Sequence, residues 1–314
     1  MNKKNERINF NKIRTYPLRE RENKVKFEDF AKNLPKEGIS VKTFFKNLPN
    51  MLAARDLLEI ADAIKKARDK DKPVIFCMGA HVIKCGLNPV IISLMEKGIV
   101  TAVALNGAGS IHDFEIAFIG QTSEEVATSI EDGTFGMAEE TGRLINQSLI
   151  DGARQGLGAG QALGEKILKD DFKFREYSLL AKAIEFDVPV TVHIAIGTDI
   201  IHQHPICDGA ALGEASYIDF QIFTTQVSKL GSGGVIVNIG SSVIMPEVFL
   251  KALTIARNLE HPVKNFTAVD FDMDQHYRPM MNVVKRPVSL GGKGYSIKGH
   301  HEIMIPLLAQ AIVE

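Results

Sequence analysis

An α/β fold, a doubly wound and mostly parallel sheet, is what this sequence predicts, and three observations carry the prediction. Short runs of apolar and β-branched residues, such as 99–105 and 235–239, have the composition of strands buried on both faces. Segments with apolar residues at helical spacing separate these runs, and strands alternating with helices mean parallel strands with covered faces. Most of the runs also stop at turns that contain glycine.

Taken in order, residues 1–48 are an N-terminal arm and 49–314 a single α/β domain. Residues 1–28 hold nine Lys/Arg and four Asp/Glu with few large apolar side chains, which suits an arm laid over the body or over a neighbouring subunit. The stretch 50–71 places Leu57, Leu58, Ala61 and Ile64 on one helical face. Residues 73–78 are a buried strand ended by Gly79-Ala80-His81, and Asn88-Pro89 opens the next helix. The strand 99–105 is broken by Asn106-Gly107-Ala108-Gly109, and Ser110 or Asp113 is placed to cap a helix. Thr122 and Glu125 have capping-box spacing, and the glycine-dense 152–164 is expected to be a loop or lid, the alternative being a helix–helix connection in which glycine allows close packing. In the second half, helices are expected over 175–186, 209–230 and 246–258. Strands are expected over 188–196, 235–239 and 266–271. A closing helix over 303–313 must hold Pro306 in its first turn. No internal repeat is evident.

The 314 residues are 45% hydrophobic and 24% charged, with a net charge of -1, so the chain lacks the basic surface of a nucleic-acid binder. No run of 18 apolar residues marks a membrane span. Three cysteines without CxxC spacing fit a reducing compartment, so the expected location is cytoplasmic. Cys77 and Cys85 have the character of small buried hydrophobes.

In a doubly wound sheet, ligands lie beyond the carboxyl ends of the strands. Those ends are Gly79-Ala80-His81, Asn106-Gly107-Ala108-Gly109, Gly197-Thr198-Asp199, Gly240-Ser241-Ser242 and Asp270-Phe271-Asp272. Four of the five contain glycine, which lets backbone N–H groups approach phosphates, and Asp199, Asp270 and Asp272 are placed to accept from ribose hydroxyls. A dinucleotide is the ligand this pattern points to. His112, just past a glycine turn, suits proton transfer because its ordinary pKa lies near neutrality. Asp208 and Glu214 are either amine ligands or a helix cap and its first turn, and the cap is favoured. His193, His202, His204, Asp199, His300 and His301 are metal-ligand types, but without metalloprotease spacing no metal is expected.

The same residues resemble the deoxyhypusine synthase family, including its homospermidine-synthase-like relatives, over 70–115, 185–250 and 286–310. The likeness rests on Asn106-Gly107-Ala108-Gly109 with Asp113 or Glu115, on Gly197-Thr198-Asp199 or Cys207-Asp208-Gly209, and on Gly240-Ser241-Ser242. It continues through Arg286-Pro287, Ser289 to Lys293, and Ile305-Pro306-Leu307-Leu308. The resemblance implies a Rossmann-like NAD-binding fold, NAD as cofactor, and a homotetramer with sites at dimer interfaces. It implies a small-molecule amine such as spermidine as substrate, with an acceptor amine that is sometimes a protein's. It implies Lys293 as the lysine that carries the aminobutyl group as an imine, with Arg286 near enough to lower its pKa. Catalysis is then expected of Lys293, His112 and Asp113, and amine binding of Asp208, Glu214, Arg286, His300, His301 and Glu302. The chain has no Trp, so the tryptophan that adjoins the family's lysine has no counterpart. An alternative keeps NAD without the covalent lysine, as in oxidative deamination of an amino acid; a third is a non-catalytic or metal-binding use of the fold.

Overall fold

The computed structural model describes residues 6–314 other than Leu34 and Lys36; the first five residues of the predicted arm lie outside it. Six strands form one sheet: β1 (Val74–Met78), β2 (Ala102–Asn106), β3 (Val190–His193), β4 (Val235–Ile239), β5 (Thr267–Asp272) and β6 (Lys293–Lys298). Every neighbouring pair is parallel, in the order β3-β2-β1-β4-β5-β6.

The helices are α1 (Val41–Asn47), α2 (Leu52–Asp69), α3 (Ala80–Lys84), α4 (Asn88–Glu96), α5 (Gly107–Ile119), α6 (Val126–Asp132) and α7 (Glu139–Arg154). They continue as α8 (Ala159–Lys169), α9 (Leu179–Glu185), α10 (Gly209–Ser228), α11 (Ile244–Asn258), α12 (Tyr277–Pro279) and α13 (His301–Val313). A π-helical stretch, Met280–Lys285, continues α12 on the return from β5 to β6.

Side chains alternate across a strand, and the core divides accordingly. Val74, Phe76, Met78, Val103, Leu105, Val237 and Phe271 pack under α2, α4, α5, α8, α9 and α13. Ile75, Cys77, Ala104, Ile236 and Ala268 face the opposite way, onto α11, the later turns of α10 and the return segment. The sheet is therefore covered on both faces, as its apolar strands require.

Four expectations are corrected. The glycine-dense 152–164 is a helix–helix corner, not a lid: α7 and α8 meet there, and Cβ atoms on Gly152 and Gly160 would come within 2.4 Å of Ala162 and 2.2 Å of the Val190 carbonyl. Glycine serves close packing in this corner. Thr122 caps nothing, because α6 begins at Val126 with Glu125 as its N-cap. Pro306 lies inside α13 beyond its first turn. The sixth strand, at 293–298, has a glycine and a polar pattern and was not foreseen.

Residues 7–33 of the arm are almost wholly exposed, among them Ile8, Phe10 and Phe27, whereas Phe45 of α1 enters the core. Among the described residues, no helix is long and apolar enough to cross a membrane.

Candidate active site at the carboxyl edge of the sheet

All six strands run the same way, so their following turns collect along one edge. The strand order reverses between β1 and β4, which is where doubly wound sheets hold ligands. At that point two loops touch through glycine. The Gly79 N–H donates to the Ile239 carbonyl at 2.9 Å, and a Cβ on Gly79 would lie 2.1 Å from the Gly240 oxygen. Gly240 has φ +62, and the His301 ring fills the space where its side chain would go.

On the β4–β5 side the polar groups predicted from sequence come together. The Asn238 amide donates to Asp270 Oδ1 at 2.7 Å and to the Ser241 carbonyl at 3.0 Å. Ser241 Oγ accepts from the Met245 N–H, fixing the start of α11. Ser242 Oγ donates to Asp272 Oδ2 at 3.4 Å. Burial raises the Asp270 carboxyl to about 6, and the neighbouring Asp272 charge adds to the effect. Next in the chain, Val243 joins His193, Ile194, Tyr217, Phe220 and Val248 around a largely apolar cavity of about 400 Å³. Burial lowers His193 to about 3, so its ring is neutral.

The turn after β2 is different. Asn106 Oδ1 accepts from the Gly109 N–H at 2.8 Å, capping α5 with the chain's own side chain. The Asp199 carboxylate lies over the same helix end, held by the Ala108 N–H, and a Cβ on Gly107 would come 2.0 Å from Asp199 Oδ2. Asp199 Oδ2 is buried without a partner, and burial raises this acid to about 6. Asn106 and Asp199 therefore take up the Gly109 and Ala108 N–H groups, while Asp199 Oδ2 is left unpartnered. With Asp199 in place, the predicted phosphate cradle is already filled by a carboxylate.

Asp113 is a second correction. It is fully buried and accepts from Ser178 Oγ at 2.6 Å, Leu179 N at 2.7 Å, Asn88 Nδ2 at 2.9 Å and Leu180 N at 3.1 Å. It anchors the start of α9 and has no open face for catalysis. His112, one residue earlier, keeps a partly open ring: its Nδ1 lies 2.6 Å from Thr122 Oγ1, which donates to Glu115 Oε2 at 2.5 Å. A hydroxyl that donates onward must accept from Nδ1–H, so the neutral ring carries its lone pair on Nε2. Burial lowers the His112 pKa from its ordinary value.

Lys293 starts β6, paired with Thr267 at the amino end of the sheet, and its side chain is 71% exposed. The length of the strand separates it from the rim of its own chain, so the predicted imine lysine is not assembled with these groups. The residue that β6 brings to the rim, in register with Asp272, is Lys298. Arg286, at the end of the return segment, donates to Asn282 Oδ1 and Tyr277 OH. Asp208 caps α10 by accepting from Ala210 and Ala211, which is the favoured reading of its sequence, and Glu214 is exposed on the same helix. His300 and Glu302 are exposed at the start of α13, while His301 is buried beside His81, the second residue of α3. Among the described residues, no three His, Cys, Asp or Glu side chains are grouped as metal ligands.

Sequence reasoning missed Asn238 and the cavity. A lone Asn inside the apolar run VIVNI was the available signal, because a buried amide needs partners.

No family model and no curated protein matches this chain. Solved structures do. The complex of AgrE with ornithine and NAD+ superposes with a TM-score of 0.52 at 13% identity, covering 82% of this chain and 33% of that one. A protein proposed to be a deoxyhypusine synthase, from Entamoeba histolytica, gives a TM-score of 0.51 at 11% identity over 88% of this chain and 94% of its own. The chain spans about a third of the length of AgrE. At these identities the likeness is one of fold, and it agrees with the Rossmann-like sheet.

Proposed function

We propose that this chain is an NAD-dependent enzyme that oxidises an amine at the carboxyl edge of its sheet. The observation that carries the reading is the reversal of strand order between β1 and β4, with Ser242, Asp270 and Asp272 gathered beside it and an apolar cavity adjoining. Support comes from the two fold relatives: one is solved with ornithine and NAD+, and the other is proposed to be a deoxyhypusine synthase.

The residues present suit a dinucleotide on the β4–β5 side only. Ser242, Asp270 and Asp272 would accept from ribose hydroxyls there, while the β2 turn is occupied by Asp199. When bound, NAD supplies a hydride acceptor. The chain's own groups do the rest. The cavity, within the size range of small-ligand sites, excludes water from an alkyl portion. His112, on α5 after the β2 turn, is the candidate proton acceptor through Nε2.

The first test is formation of reduced nicotinamide on incubation with NAD and either ornithine or spermidine. Turnover with one of them, reduced at least tenfold by Asp272→Ala, is the expected result; absence of NAD binding by calorimetry defeats the reading. The second reading is aminobutyl transfer by a deoxyhypusine-synthase-like tetramer. It is favoured by the E. histolytica likeness over nearly the full length of both chains. Borohydride trapping decides between the readings: an adduct on Lys298, or on Lys293 reached from a second copy, supports transfer, and no adduct during turnover supports direct oxidation.

A further inference from the structure

A second group of reactive side chains stands where α3 and α13 meet the ends of β1, β4 and β5, beside Gly240 and on the α3–α13 side of the Ser242–Asp272 pair. Cys85, at the end of α3, places its Sγ 3.5 Å from His81 Nε2 and 3.8 Å from Glu302 Oε2, two acceptors for its one proton. The other nitrogen of that ring, Nδ1, lies 3.2 Å from His301 Nδ1. His301 Nε2 lies 3.3 Å from the Phe271 carbonyl. Cys85 is partly exposed, whereas His301 is buried. The cysteine is therefore not the inert hydrophobe its sequence context suggests.

The hydrogen bonds run in one direction. A carbonyl only accepts, so His301 Nε2 carries the proton and its Nδ1 accepts. His81 must then donate from Nδ1, which leaves the Nε2 lone pair facing the thiol. A thiol, a base within reach, and a third group that orients the base are the parts of an assisted nucleophile.

We propose that Cys85 is a nucleophile served by His81 as base and His301 as positioning residue, and that it takes an electrophilic carbon. At attack the S–H bond breaks, its proton passes to His81 Nε2, and the S–C bond forms. At a carbonyl carbon the π electrons move to oxygen, which takes the proton back from His81; at the saturated carbon of iodoacetamide the C–I bond breaks and iodide leaves, the proton staying on His81 until solvent takes it. No oxidant or metal enters the step.

The molecule contains its own reference. Cys207 is also partly exposed, and its thiol is pushed up by burial and by Asp208, much as Cys85 is pushed up by burial and by Glu302. The Lys84 charge opposes that rise at Cys85, and at Cys207, whose N–H donates to the His204 carbonyl, no histidine ring is hydrogen-bonded to the thiol among the described residues. Cys77 is fully buried and reports unfolding.

Alkylation of the intact protein by iodoacetamide, followed site by site by mass spectrometry, tests the proposal. Base assistance predicts Cys85 reacting about tenfold or more faster than Cys207 at neutral pH. His81→Phe should bring the two rates within about twofold while Cys77 stays unlabelled, and His81→Gln should not restore the difference. A wild-type Cys85 no faster than Cys207 overturns the proposal, as does a Cys85 rate that survives His81→Phe. The wild-type ratio decides even if a variant misfolds.

Discussion

Two turns on the same edge of the sheet, after β2 and after β4, have the same sequence character and opposite fates. Asn106-Gly107-Ala108-Gly109 is closed by its own Asn106 cap and by Asp199, which lies where a Gly107 side chain would be. Gly240-Ser241-Ser242 stays at the strand-order reversal, with Ser242 on Asp272 and the cavity beyond Val243. A glycine after a buried strand shows that something approaches the backbone closely. Whether that something is a ligand or the protein itself depends on residues far away in sequence.

The sharpest way to break the comparison is at the contact between the two loops. Gly79→Ala places a Cβ 2.1 Å from the rigid Gly240 carbonyl, and should cost about 3 kcal/mol or more in denaturant unfolding. A wild-type midpoint in that variant would show that the loops do not meet.

Asp113 comes next. Asp113→Ala strands three buried donors and the Asn88 amide, and should cost about 2–4 kcal/mol in the same measurement. A catalytic role would instead leave stability intact while removing activity.

Asp199 gives a pH signature. Its carboxyl is raised to about 6 from the ordinary 3.8 by burial, so the ionised form is disfavoured in the folded state. The penalty is full above pH 6 and vanishes below the unfolded value. Stability of the wild type should therefore rise as pH falls from about 6 to 4, by about 2 kcal/mol relative to Asp199→Asn. Asp113, Asp219 and Asp270, also raised by burial, are common to both proteins and drop out of the difference. An unchanged stability difference between the two proteins at about pH 4 and about pH 7.5 would contradict the filled-turn account.

The smallest effect belongs to Lys293, whose exposed pair with Glu59 at 3.7 Å should be worth less than about 0.5 kcal/mol. Lys293→Ala is expected to leave unfolding unchanged.

Much of the fold was legible because a buried parallel strand needs little but apolar residues and a terminator. The run 235–239 is a strand to the residue, and α2, α10 and α11 follow their apolar spacing within a few positions. β6 was not legible: it is an edge strand with exposed Lys293 and Gly294, and an edge face need not be apolar. Which turns gather on one edge followed from topology alone. Which side chains meet there did not, since Asp199 reaching α5 and Asn238 reaching Asp270 are contacts between distant segments. Lys293 shows the same limit: five positions along the strand separate it from Lys298, and only the strand's boundaries reveal which lysine stands at the rim.

NAD titration by calorimetry on the wild type, Asp272→Asn and Asp199→Asn tests the central claim most directly. If the open β4 side holds the dinucleotide, Asp272→Asn weakens binding about tenfold, the loss of about one charged hydrogen bond, and Asp199→Asn leaves it within about twofold. Binding that is lost with Asp199→Asn and untouched by Asp272→Asn would put the dinucleotide at the β2 turn and contradict the account.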